Sequence, residues 1–105
     1  MECREKLVRD RIGEEMEASG RPVRRAEPGE VEELLLDKIV EEALELKGSR
    51  DPWEAADLLE ALLSWARLRG MSLEDILRLA SEKRARRGGF TRYYVALLCR
   101  EGFQS

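Results

Sequence analysis

Four acidic residues in the stretch "KIVEEALELKGSRDPWEAADLLE", Lys38 to Glu60, stand as two pairs three residues apart, Glu42 with Glu45 and Glu54 with Asp57. Leucines and alanines surround them. On a helical wheel Glu42 falls roughly 20° from both Val31 and Leu35, and Glu45 about as close to Leu34. Glu54 projects between Ala61 and Trp65, and Asp57 lies beside Leu68 at the edge of an apolar arc. Carboxylates gathered on such a face need a counter-ion, because one like-charge pair near 4 Å costs on the order of 4 kcal/mol at an effective dielectric of 20. An all-oxygen set suits a hard divalent cation, above all Mg²⁺, which takes a few carboxylates together with waters and phosphate oxygens. The ordinary alternative stands beside this at each position: Glu54 as a capping-box acid, Glu41 and Glu45 as partners of Lys38 or Lys47, Asp57 as a solvated rim residue.

The chain contains no histidine. That removes His-activated nucleophiles and most zinc ligand sets, leaving carboxylates, lysine, arginine or a metal to carry any catalysis. The cations form a second constellation: "KLVRDRI" supplies Lys6, Arg9 and Arg11, and "SEKRARRGGF" supplies Lys83, Arg84, Arg86 and Arg87. Basic residues at a helix C-terminus also serve its dipole without further purpose. The basic run is short, has no aromatic interleaving before Phe90 and belongs to a chain of net charge -3, which argues against nucleic acid as a partner. Clamps on a polyphosphate fit better beside a Mg²⁺ site.

These side chains must be positioned by helices. In 105 residues, 43% apolar and 39% charged, the composition predicts one globular domain over residues 1–105, too apolar for disorder. No apolar run suits a membrane span or a signal peptide, so a cytoplasmic location without a membrane partner is expected. Cys3 and Cys99 suit either one disulfide or two reduced thiols. Val8, Ile12 and Met16 predict a first helix over residues 8–18, ended by Gly20 and Pro22. A connector follows, then a second helix from Pro28 to Lys47, closed at Gly48. Asp51, Pro52 and Glu54 open a third helix running to Gly70. Ser72 caps a fourth, "LEDILRLASEKRARR", which ends at Gly88 and Gly89, and "FTRYYVALL" reads as a short strand or extended arm. The apolar residues of the third helix cover well over half its circumference, more than the stripe of about 100° that a one-sided surface helix needs. The expected fold is therefore all-α, a compact bundle of about four helices with a short extended C-terminal arm, packed as a dimer or higher oligomer. An antiparallel second and third helix would bring the acid pairs together at their adjoining ends.

"EEALE" followed by "EAADLLEALL" resembles the EExxE and ExxD signature of the all-α nucleoside triphosphate pyrophosphohydrolases, the MazG-like superfamily that includes phosphoribosyl-ATP pyrophosphohydrolase. "KLVRDRI" and "KRARRGGF" resemble the ends of a small branch of house-cleaning enzymes in that superfamily, so the likeness spans nearly the whole chain. The resemblance implies a helix-loop-helix core and Mg²⁺, with Mn²⁺ able to substitute, bound by Glu42, Glu45, Glu54 and Asp57. It adds Glu41 as a further acid and, with Glu42, a candidate catalytic residue, and Lys38 as a phosphate contact beside the cations Lys6, Arg9, Lys83 and Arg87. The implied reaction cleaves a nucleoside triphosphate, modified or damaged ones included, to the monophosphate and pyrophosphate, in a homodimer or homotetramer. Gly13 stands where this branch usually shows proline and Arg11 where it usually shows lysine, and the interval between the acid pairs is short. Two rival readings remain: phosphoribosyl-ATP pyrophosphohydrolase itself, and a non-catalytic helical dimerisation module.

Overall fold

The computed structural model describes residues 2–99. Among them it contains four α-helices and one short 3-10 turn, with no strand: α1 Asp10–Ala18, the turn Pro28–Glu30, α2 Val31–Ser49, α3 Pro52–Leu68 and α4 Leu73–Arg87. The all-α class and the helix count match expectation. The chain divides into two compact units, Met1–Met71 and Ser72–Ser105, each described by itself.

In the first unit, α2 and α3 pack against each other and the 3-10 turn packs on α2. Their antiparallel sense is fixed by a polar lock at the far end of the pair. Trp65 Nε1, late in α3, donates to Glu32 Oε2, early in α2, at 3.2 Å, and Arg69 reaches the same oxygen at 3.0 Å while lying over the Trp65 ring. The reversal at the near end takes only Arg50 and Asp51. Pro52 disfavours a helical conformation for the residue before it, and Asp51 is indeed extended, accepting the Trp53 N–H at 3.0 Å as the N-cap of α3. The turn therefore falls on Arg50, which adopts left-handed φ 59° and closes α2 through its N–H to Leu46 at 2.8 Å. This corrects the expected stop: α2 runs through Gly48 to Ser49, because the proline places the turn.

The start of α1 falls at Asp10, two residues later than expected, with Arg9 at its N-cap position. Residues 2–9 have no regular structure. They are tied down by Arg24, which donates to both carboxylate oxygens of Glu5 and of Glu30 at 2.7–3.1 Å. Glu27 and Glu30 complete a capping box at the 3-10 turn.

In the second unit, Ser72 and Asp75 form a capping box at the start of α4, and Gly88 at φ 80° follows its end. The residues after Gly89 contain no strand as far as residue 99, so the strand reading of "FTRYYVALL" is not borne out. Cys3 and Cys99 are both free and exposed.

Burial is sparse. Among the described residues only Ala61, Ala66 and Glu42 are buried. Large apolar side chains of the helix pair, among them Val40, Leu44 and Leu59, stay 46–63% exposed. Ala66 on α3 is fully buried.

Candidate metal centre

The most buried polar residue in the first unit is a glutamate. Glu42, 6% exposed, lies on α2 where the apolar arc predicted it would intrude. The α2–α3 reversal brings it against α3, so that Glu42, Glu54 and Asp57 offer carboxylate oxygens all within 4.8 Å of one another. Glu41, Glu42 and Glu45 form a second such triplet along α2, sharing Glu42 with the first. All four predicted ligands, with Glu41, thus fall into two overlapping groups.

Glu54 does not cap its helix. The Asp51 N–H, which a capping-box glutamate would accept, donates instead to Ser49 Oγ at 3.1 Å. Glu54 turns its carboxylate toward Glu45, Asp57 and Glu42. Oε2 of Glu54 and Oε2 of Glu42 are shut away from solvent with no hydrogen-bond donor. A buried carboxylate oxygen without a partner is costly, and the cluster holds two of them. The titration behaviour has the same origin. Burial, and after it the charges of Glu45 and Asp57, push the Glu42 carboxyl above the usual range against the opposing pull of Lys38. Burial and the same neighbours, Glu45 foremost, push Glu54 up as well.

Cations frame one side of the cluster. Lys38 Nζ lies 3.2 Å from Glu41 Oε2 and 3.3 Å from Glu42 Oε1. Lys6 Nζ donates to Glu41 Oε1 at 2.6 Å, so both Glu41 oxygens are held, with Arg4 also 3.8 Å from Oε2. Lys6 and then Lys38 hold the Glu41 carboxyl below the usual range, although burial opposes them. Burial works to lower Lys38, but its bonds to Glu41 and Glu42 outweigh that and raise it. Arg9 Nη2 lies 2.7 Å from Asp57 Oδ1. An open groove of about 690 Å³ lies alongside, lined by Arg4, Lys6, Lys38, Glu41 and Glu45 among others.

Lys38, Lys6 and Arg9, expected as phosphate contacts, are paired with Glu41, Glu42 and Asp57. Lys83 and Arg87 lie on α4 in the second unit. What sequence reasoning missed is the pairing of Lys6 with Glu41, of Arg9 with Asp57, and the contribution of Arg4. The first two sit in the quoted "KLVRDRI", but nothing in its spacing names their partners.

The donor set fits a hard divalent ion. It is all carboxylate oxygen, it carries two oxygens in want of a positive partner, and its members Glu41 and Glu45 line a groove that Arg4, Lys6 and Lys38 border. The chain matches no protein-family model, no curated protein and no solved structure.

Proposed function

We propose that the chain is a Mg²⁺-dependent nucleotide pyrophosphohydrolase, cleaving a nucleoside triphosphate to its monophosphate and pyrophosphate. The observation that carries this reading is the pair of buried, donor-less oxygens on Glu42 and Glu54 inside a three-carboxylate group. The MazG-like resemblance of the acid pairs supplies the reaction. Glu42, Glu45, Glu54 and Asp57 would hold the ion, Mg²⁺ or Mn²⁺. When bound, it supplies charge neutralisation at phosphate oxygens and acidifies water.

The chain's own residues divide the remaining work. Glu41, bonded through both oxygens and held low, is a weak base, and its role is to place Lys38 and Lys6 toward the groove. The attacking water's proton would be accepted by one of the cluster's carboxylates. Lys38, Lys6 and Arg9 bind the departing pyrophosphate, a task for which arginine's fork and lysine's point charge are both suited. Lys83 and Arg87 are further candidates for phosphate contact.

The exposed apolar side chains Val40, Leu44 and Leu59 support assembly as a homodimer or homotetramer, since a helix pair that covers so little of its apolar surface gains by association. No helix among the described residues is long and apolar enough to cross a membrane. Cytoplasmic action on free nucleotides is part of the proposal.

Pyrophosphate release over a nucleotide panel tests it. The panel includes deoxynucleotides, modified bases and phosphoribosyl-ATP, in Mg²⁺ and in Mn²⁺, with Glu42→Gln as control. Turnover that requires Glu42 supports the reading, and preference for phosphoribosyl-ATP would shift it to that enzyme. No release from any nucleotide, with no shift in melting temperature, would leave a non-catalytic helical dimerisation module.

A further inference from the structure

Asp57 belongs to the triplet that would hold the cation, yet its Oδ1 is taken by Arg9 at 2.7 Å. Arg9 comes from the segment before α1, 48 residues away in sequence, and nothing in its own helix explains the contact: as N-cap residue it makes no side-chain cap bond. The pair sits at the solvent side of the cluster, with the Arg9 side chain 60% and the Asp57 side chain 38% exposed. A guanidinium so placed can leave for water at little cost. A divalent cation and a guanidinium drawn to one carboxylate repel each other, and a phosphate offers the guanidinium a better, two-pronged acceptor.

Resting on the metal reading above, we propose that Arg9 is an internal counter-ion of the centre, which passes from the Asp57 carboxylate to a ligand phosphate as the metal and nucleotide enter. The N-terminal segment thereby couples the two loading events. Arg9 opposes a divalent cation arriving alone and favours one arriving with a nucleotide. Lys6 differs, because its partner Glu41 lies outside the Glu42, Glu54 and Asp57 triplet. Arg24, binding Glu5 and Glu30, anchors the segment independently of the cluster and gives Arg9 a fixed base from which to swing.

The test is a Mn²⁺ titration followed by electron paramagnetic resonance of the free ion, on the full chain, with and without a non-hydrolysable nucleoside triphosphate analogue. Arg9→Ala is expected to bind Mn²⁺ alone about two- to fivefold more tightly than wild type, the range an exposed ion pair of this kind allows. The same substitution is expected to weaken binding of the Mn²⁺-nucleotide pair by about tenfold. Arg21→Ala removes a charge beyond the end of α1, at a residue outside the cation constellation, and is expected to change neither value beyond twofold. Arg9→Gln repeats the test should the alanine variant lose helix content by circular dichroism, and Arg9→Lys is expected to lie between it and wild type. The opposite signs decide. Weakening of both values marks a merely structural residue and overturns the proposal, as does no change in either. Absence of saturable Mn²⁺ binding in wild type and Glu42→Gln alike would instead remove the metal reading, and this proposal with it.

Discussion

Replacing Glu42 by glutamine should make the protein more stable when divalent cations are absent and nearly indifferent to them when they are present. Glu42 shares the triplet with Glu54 and Asp57, with oxygens within 4.8 Å. At that separation each like-charge pair costs about 3.5 kcal/mol at an effective dielectric of 20, so two pairs oppose the Glu42 charge by about 7 kcal/mol. Lys38 at 3.3 Å offsets about 5 kcal/mol of this on the same scale. About 2 kcal/mol remains against the charge before burial and Glu45, which add to it, and the Arg9 charge on Asp57, which subtracts from it, are counted. Allowing roughly half for the hydrogen bonds a buried amide must find, the variant gains about 1 kcal/mol in chelator, or about 4–8 °C in Tm for a chain of this size. Wild type should gain about 1.4 kcal/mol from Mg²⁺ at ten times its Kd, and the variant little. Calorimetry or thermal circular dichroism of both proteins in chelator and in millimolar Mg²⁺ gives all four values. A variant less stable than wild type in chelator would show that Lys38 already satisfies Glu42, and a full Mg²⁺ response in the variant would show that the ion binds elsewhere. Either result refutes the reasoning.

Two further outcomes follow from features away from the cluster. Glu30 is held down to about 2 by its bonds from Arg24 and from the Glu27 N–H. A depressed carboxyl contributes stability that is present above its unfolded value of 4.5 and is lost as pH falls toward 2. Wild type should therefore lose more stability than Arg24→Gln between pH 5 and 2 in acid titrations read by circular dichroism. The raised Glu42 and Glu54 act in the opposite direction, but equally in both proteins, and cancel in the comparison. Arg50→Gly should stabilise by about 0.5–1 kcal/mol in urea unfolding, since glycine adopts the left-handed φ of 59° without a Cβ penalty that exceeds its entropic cost. A destabilised variant would mean that the Arg50 side chain makes an interaction outweighing that strain.

Three of the clustered acids were legible because each disobeyed a pattern. Glu42, Glu45 and Glu54 intruded on apolar arcs, and a period of 3.6 residues makes such intrusion visible from spacing alone. The short reversal was legible too, through Asp51 and Pro52, although the tempting Gly48 misplaced the end of α2 because a glycine marks where a turn is cheap and the proline marks where it must be. That Glu54 forms no capping box shows only in three dimensions, where Ser49 Oγ accepts the N–H that a capping glutamate needs. Hidden altogether were the ion pairs from Lys6 to Glu41 and from Arg9 to Asp57, 35 and 48 residues apart. No periodicity connects residues in different elements at that range, and a lysine or arginine in "KLVRDRI" carries no mark of which carboxylate it will meet.

The two-residue reversal at Arg50 and Asp51 has a bearing on the order of folding events. It joins helices that are neighbours in sequence, so Glu42 meets Glu54 and Asp57 through one of the shortest loop closures the chain can make. Such a helical hairpin closes on a microsecond scale, ahead of the long-range docking that brings Lys6 and Arg9 onto the acids. The nascent pair thus carries a mutual repulsion that Lys38 alone offsets before Lys6, Arg9 and Arg4 arrive. If the cluster holds the proposed ion, a divalent cation that relieves the repulsion at that moment would accelerate folding as well as slow unfolding, and the folding rate would rise with the metal concentration around the chain.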